Sequence, residues 1–477
     1  MVNLIMAETS PFPGIDVSWP AGTQVLHPGS DEFTDATLRW TIYKPPRFNA
    51  AVRPKNEEDV AKIVKAARAA NIPFLATGGR HGYGTTLGKL DSGLAIDLSQ
   101  MNTFDVDKAT GILVVGPGVK LEDVTGPVEE AGYELPVGNC PAVGLIGLTI
   151  GAGVSPFQGL FGLMIDCLRS VRLITADGDI VEASDHINSD LFWGIRGAGA
   201  NFGIITSATY QLHKAVNNAQ CFTADAIFPV SMTNAYFDVL QSFEDKIPPE
   251  LAIATTYHWG VDSNATQILA TFIYSGPESE ARQIIAPFLD LDPPILRASS
   301  VPYSRMQHTI SFGAGVSAFS PGRIYDISSV NIRRFAVETW KSTFDKFDAF
   351  FKANPDARSS GAIFQTYSNK AVLAVPDSNT AYPWRDAKGD FMFSMAWAQP
   401  GNPVEEPANA FARELRQDIV TTSGYPDLSV YVNYAHGDET LEQIYGKDKL
   451  PRLARLKKEW DPDNVFRYHH VLPTEYL

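Results

Sequence analysis

Cysteine is scarce: the 477-residue chain has three, Cys140, Cys167 and Cys221, at spacings that fit neither a zinc site nor a disulfide framework. Positive charge is scarce too. Lys and Arg number 39 against 54 Asp and Glu, giving a formal net charge of -15 and a pI near 5.1. No basic run has the density a phosphate-bearing surface needs, which excludes nucleic acid and anionic membranes as expected partners. No apolar run reaches membrane-spanning length. The opening MVNLIMAETSPFPG lacks the basic start and long apolar stretch of a secretory leader, so the sequence predicts an intracellular, cytoplasmic protein. GxxxxGK[ST], GxSxG, HExxH and CxxC are missing, and no GxGxxG ends a strand. A P-loop, a hydrolase elbow, a zinc protease and a Rossmann site are therefore all disfavoured, and no metal site is expected.

What the chain does have is glycine, 37 in all. Three dense stretches fall in the first half: ATGGRHGYG (76–84), GNCPAVGLIGLTIGAG (138–153) and RGAGANFG (196–203). Such density means a backbone that takes positive φ or approaches another group closely, and whose successive N–H groups can point at an anion. Three in one region indicate a phosphate-bearing cofactor. His81 and Cys140 are flanked by turn-forming residues, so their side chains are presented rather than packed. They read as two attachment or reaction points in one site; a cysteine–histidine nucleophile pair is the alternative.

The element pattern is α+β. NEEDVAKIVKAARAANI (56–72) has one apolar helix face, and PFLATGG, GLAIDLSQM and GILVVGPG read as strands, after an irregular lead-in over 1–44. In the second half LAIATTYHW, QILATFIYSG, AVLAVPD and FMFSMAWAQ read as strands. FAVETWKSTFDKFDAFFKAN and FARELRQDIVTTSG read as amphipathic helices. The expected division is 1–215 for cofactor binding, 216–424 for a substrate domain with a sheet covered by helices, and 425–477 for a returning C-terminal segment.

With GGRHGY, GNCPAVGLIGLTIGAG, DLFWGIRGAGANFGIIT, YVNYAHG and DPDNVF in this order, the chain resembles the FAD-linked oxidases of the vanillyl-alcohol oxidase and p-cresol methylhydroxylase fold, within their berberine-bridge-enzyme-like subgroup. The resemblance implies a two-part FAD-binding domain of that type. It implies FAD bonded twice, through the 8α-methyl to His81 and through C6 to Cys140. It implies a cradle of Gly78, Gly79, Arg80, Gly82, Gly144, Gly147, Gly151 and Gly153, with Gly203 and Ile205 near the adenosine part and Asn433 bordering the flavin. Val143 matches a position where a small side chain leaves oxygen access. Cys167 and Cys221 match no such position and are expected in the core.

The chain also departs from the family pattern. Arg80 stands before the linking histidine where glycine is usual, and its charge is expected to reach a flavin phosphate or the site. The family's FPHR reads Tyr382, Pro383, Trp384, Arg385, and no carboxylate is found in FMFSMAW (391–397). The expected catalytic residues are therefore tyrosines: Tyr431 or Tyr434 as base, with Tyr83 orienting and Arg80 a candidate to favour the phenolate. Tyr257, Trp259, Phe364, Tyr367 and Trp397 are candidate pocket aromatics. The expected activity is oxidation of a small organic molecule, a secondary metabolite or sugar alcohol, with O2 as acceptor. The alternatives are a flavin-fold cyclase or pericyclase, an extracellular-type carbohydrate oxidase, and a binding flavoprotein without turnover.

Overall fold

The helix Glu57–Ala69 is capped by the Asn56 side chain, which accepts from the Asp59 N–H at 2.9 Å, and it buries Val60, Ile63, Val64 and Ala67. That face lies on the first sheet of the computed structural model, which describes Phe12, Val17 and residues 19–314 and 320–476. The opening stretch read above for a leader lies largely outside the described residues. In this sheet Phe48–Arg53, Gly93–Asp97 and Phe74–Thr77 run parallel, and Gln24–Leu26 adds an antiparallel edge. The lead-in is more regular than expected: besides that edge strand it holds the helix Asp31–Thr37, capped by Ser30.

The second sheet is antiparallel, in the order Phe104–Asp107, Ile112–Val115, Ile204–Gln211, Leu168–Ile174, Ile180–Ser184. Tyr133–Glu134 and His213–Lys214 make a small two-stranded sheet beside it. Cys167 and Cys221 are buried in the cluster packed on these elements, as expected.

The third sheet has seven antiparallel strands in the order Ile295–Pro302, Gln220–Pro229, Ala265–Tyr274, Leu251–Gly260, Gly361–Tyr367, Gly389–Trp397, Ile324–Ile332. The helices Thr233–Gln241, Val337–Ala353 and Glu405–Thr422 cover one face. Trp340, Phe344, Phe347 and Phe351 fill that interface. Four of the five candidate pocket aromatics, Tyr257, Trp259, Phe364 and Trp397, belong to this core and face away from the site; Tyr367 alone points the other way.

One further expectation fails for a local reason. AVLAVPD is not a strand: Lys370–Ala374 is one helical turn-and-a-half, buried at Val372 and exposed at Leu373, and it stops because Val375 precedes a proline and goes extended. In YVNY, Val432–Tyr434 form a 3-10 turn.

The C-terminal segment is pinned by a buried ion pair. Lys457 Nζ and Asp461 Oδ2 lie 2.6 Å apart with both side chains fully buried, and the same ammonium donates to the Asn201 and Phe466 carbonyls at 3.0 and 2.8 Å. Lys457→Ala would leave a carboxylate buried and uncompensated, so urea denaturation is expected to show a loss of about 3–5 kcal/mol. Lys458→Ala, which removes only an exposed pair with Glu475, should cost less than about 1 kcal/mol in the same assay.

Candidate active site

The strand Phe74–Thr77 runs into the first glycine loop, and there the two loops touch backbone to backbone. A Cβ on Gly79 would sit 2.4 Å from the Gly144 nitrogen, and one on Gly78 would sit 2.3 Å from the Pro117 carbonyl oxygen. Immediately after Gly79 the chain turns at Arg80, whose φ of 55° lies in the left-handed region. An ion pair at 2.8 Å to the fully buried Asp97 holds that turn, and Arg53 contacts the same carboxylate at 2.8 Å. The guanidinium of Arg80 is thus engaged beneath the loop; it anchors the turn and is not positioned to favour a phenolate.

This turn delivers His81 to within 3.6 Å of Cys140, Nε2 to Sγ, from a position 59 residues away in sequence. The imidazole stacks on Trp40 with ring centroids 4.4 Å apart, and Trp40 stacks in turn on Tyr325 at 4.7 Å. Burial, aided by the Arg39 charge, lowers the His81 pKa to about 4. The ring is neutral at physiological pH and keeps a nucleophilic lone pair. Burial pushes the Cys140 thiol up to about 12, so it is a thiol until a base takes its proton.

The three tyrosines lie together. Tyr434 is 4.8 Å from Tyr431 and 6.5 Å from Tyr83, centroid to centroid. The Tyr431 hydroxyl accepts from the Gly153 N–H at 3.0 Å and from Asn433 Nδ2 at 2.8 Å, and donates to the Leu148 carbonyl at 3.3 Å. One donor and two acceptor sites are all a hydroxyl has, so Tyr431 is a structural tie to the second glycine loop with nothing left for a substrate. Asn433 joins it there, donating to the Leu148 and Gly147 carbonyls at 2.9 and 3.4 Å. Gly151 is where a Cβ would run into that amide. Burial raises Tyr83 and Tyr434 well above the usual tyrosine value, which argues against either phenol as a base.

The carboxylate that sequence reading missed is Asp390. The strand starts at Gly389, two residues before the FMFSMAW stretch, and its alternation fixes the faces: Phe391, Phe393, Met395 and Trp397 join the helix-covered core, so Asp390, Met392 and Ser394 look toward the glycine loops. That period of two was the available signal. Asp390 is 3% exposed, its Oδ1 has no partner among the described residues, and burial pushes its carboxyl up to about 8. Its register neighbours are Asn331 on one flanking strand and Gln365 on the other. Gln365 bonds to the Tyr367 hydroxyl, to Tyr434 and, at 3.4 Å, to Asn139, the residue before Cys140. A polar row therefore runs from the sheet edge to the residue beside Cys140.

Of the remaining expected residues, Val143 precedes the short helix Leu145–Thr149 of the second glycine stretch and Gly147 lies within it, with nothing among the described residues within 4 Å of its would-be Cβ. Gly82 offers its carbonyl to Arg39 at 2.8 Å. Gly203 allows close approach to the Ile174 carbonyl, and Ile205 is buried in the strand that follows. Among the described residues no cluster has the composition of a metal site, and no helix is long and apolar enough to cross a membrane.

The residues present fit a flavin. Tyr83 OH and Asn139 Oδ1 are buried without partners among the described residues, one two residues past His81 and the other beside Cys140, where a polar ring edge would satisfy them. A parallel three-stranded unit, an antiparallel sheet and a helix-backed seven-stranded sheet converge on these loops, the two-part FAD-binding fold of the p-cresol methylhydroxylase and vanillyl-alcohol oxidase type. A family model for the FAD binding domain matches residues 48–184, and one for berberine and berberine like proteins matches 430–473. The FAD-linked oxidoreductase srdI of Neurospora crassa is 48% identical over 455 residues, 95% of this chain and 90% of its own. The FAD-linked oxidoreductase fogF of Aspergillus ruber is 42% identical over 464 residues, 97% of this chain and 93% of its own. The glucooligosaccharide oxidase of Acremonium strictum, with its 6-S-cysteinyl, 8α-N1-histidyl FAD, shares the fold at a TM-score of 0.80 and 22% identity, over 95% of this chain and 98% of its own. The chain belongs to the FAD-linked oxidoreductases, with a berberine-like C-terminal segment.

Because no Cβ fits between the loops, Gly79→Ala is expected to separate them, lower the thermal midpoint and reduce flavin content. Absorbance of the purified protein near the flavin maximum, together with a melting curve, checks both.

Proposed function

We propose that this FAD-dependent enzyme is an oxidase that removes two electrons and two protons from an alcohol, with Asp390 as the base. The observation that carries the reading is the buried Asp390 carboxylate, unpartnered on Oδ1, on the sheet face turned toward His81, Cys140 and the tyrosines. When bound, FAD supplies the hydride acceptor and passes the electrons on, by this reading to O2. Asp390 takes the proton of the substrate hydroxyl. Tyr434 and Gln365 orient that hydroxyl, Tyr83 packs behind them, and Tyr431 with Asn433 holds the second loop rigid. His81 and Cys140 are the two attachment residues, Val143 keeps the flavin face open, and the glycines of both loops form the cradle. In this reading residues 1–215 hold the cofactor, 216–424 the substrate, and 425–477 close the site.

A cyclase needs no base for a substrate hydroxyl, and a buried carboxyl at Asp390 favours the oxidase reading over it. The two readings separate anaerobically, since an oxidase substrate bleaches the flavin and a cyclase substrate turns over without doing so.

After acid denaturation, flavin mass is expected to stay on the wild-type polypeptide, on His81→Ala and on Cys140→Ala, and to leave only the double variant. Flavin released from wild type would overturn the two-link assignment. Asp390→Asn should lower kcat/KM by about 10²–10⁴, the usual range for a lost general base. A base works deprotonated, so the wild-type rate should climb as pH rises through about 8, the value to which burial moves this carboxyl. In Asp390→Asn that limb should be flat; a limb that persists there would assign the base elsewhere.

A further inference from the structure

His81 leaves a loop whose neighbouring residues give its ring nothing to lean on. Arg80 before it is drawn down to Asp97, and Gly82 after it has no side chain. What holds the imidazole comes from the lead-in. Trp40, 8% exposed, lies flat against the ring, the two planes 10° apart and the centroids 4.4 Å apart. Residues 39 and 40 also grip the loop on either side of the histidine. The Trp40 N–H donates to the Arg80 carbonyl at 3.2 Å, and the Arg39 guanidinium donates to the Gly82 carbonyl at 2.8 Å. Behind the indole, Tyr325 stacks at 4.7 Å and 11°. Thr41 fixes Tyr325 in turn, its hydroxyl accepting from the Tyr325 N–H at 3.0 Å and donating to the Tyr325 carbonyl at 2.9 Å.

An imidazole reacts through lone pairs that lie in its own plane, so that plane decides where a nucleophilic nitrogen can aim. The terminal torsion of a histidine is broad, and an indole against one face narrows it to a single plane. In that plane Nε2 lies 3.6 Å from Cys140 Sγ, which sets the imidazole edge and the thiol side by side. We propose that Trp40 is a positioning residue for flavin attachment at His81, holding the imidazole in the plane from which a ring nitrogen reaches the 8α carbon of FAD. The step makes one N–C bond in place of one C–H bond at that carbon and one N–H bond on the imidazole. Both protons and the electron pair of the C–H bond end on the flavin, which O2 reoxidises to give hydrogen peroxide. Cys140 stands on the other glycine stretch and outside the stack of His81, Trp40 and Tyr325, so Trp40 serves one of the two links and not the other. The proposal rests on the reading of His81 and Cys140 as the two attachment residues.

The two links are timed separately in the full-length protein, purified without flavin from riboflavin-starved cells and then given FAD in air. Cys140→Ala leaves only the histidine link to form, and His81→Ala only the cysteine link. Flavin that precipitates with the polypeptide in acid is measured against time. With Cys140→Ala as parent, adding Trp40→Leu or Trp40→Met should slow attachment about tenfold or more, the scale of a misaimed reacting group. Adding Trp40→Phe, which keeps a flat ring to stack on, should leave it within about threefold of the parent. With His81→Ala as parent, the same substitutions should leave the cysteine link as fast as before. Melting curves and the flavin held before acid treatment identify a variant that fails to fold or to bind FAD, and the other of Leu and Met then decides. Unslowed attachment in a folded Leu or Met variant overturns the proposal. Equal slowing of both links also overturns it, because Trp40 would then support the loop as a whole, and so does a Phe variant as slow as the Leu variant. Flavin released by acid from the Cys140→Ala parent overturns the attachment at His81 itself, and the proposal with it.

Discussion

The site depends on two peptide backbones approaching more closely than any side chain permits. Gly79 against Gly144 is a contact between loops 65 positions apart, and it sets where His81 and Cys140 emerge. An extra carbon at either position would move both His81 and Cys140, which is why glycine carries the geometry here and the placement of those two side chains follows from it. Asp97 reinforces the arrangement from below by holding Arg80 and Arg53 together. A non-glycine residue in the left-handed region is tolerated at Arg80 because this ion pair over-determines it.

The second constraint is the pleat of the seven-stranded sheet. Its helix-covered face is so densely aromatic that the register cannot slip by one residue without burying Asp390, Gln365 and Asn331 among phenyl rings. The hydrophobic core thereby decides which polar groups face the glycine loops. The third is the stack of His81, Trp40 and Tyr325, in which an aromatic ring from the lead-in bridges the first glycine loop and the edge strand of the seven-stranded sheet.

The glycine loops are legible in the sequence because glycine stretches, a histidine set among them and a flanked cysteine are local patterns. The helix–strand–glycine order around 57–79 carries into the structure nearly unchanged. The seven-stranded sheet is less legible, for a physical reason at each miss. Asp390 escapes a strand read from its first phenylalanine, because the strand starts two positions earlier, at Gly389, and takes the carboxylate in. Tyr431 and Tyr434 read equally well as a base, because a sequence cannot show that Gly153, Asn433 and Leu148 use up the Tyr431 hydroxyl. The expected reach of Arg80 into the site fails because its partner lies 17 positions on, in the strand Gly93–Asp97. AVLAVPD was too short for its apolar residues to distinguish a strand from a helical turn.

The row of Asn331, Asp390 and Gln365 spans three adjacent strands, and hydrogen-bonded strands sit about 4.7–4.9 Å apart. The site therefore carries a ruler with fixed divisions. The backbone ladder sets the pitch at which polar groups can be offered to a ligand, and the side chains choose only which chemistry stands at each mark. Exchanging residues at Asn331 or Gln365 would change that chemistry while the spacing, and Asp390 between them, stays where the ladder put it.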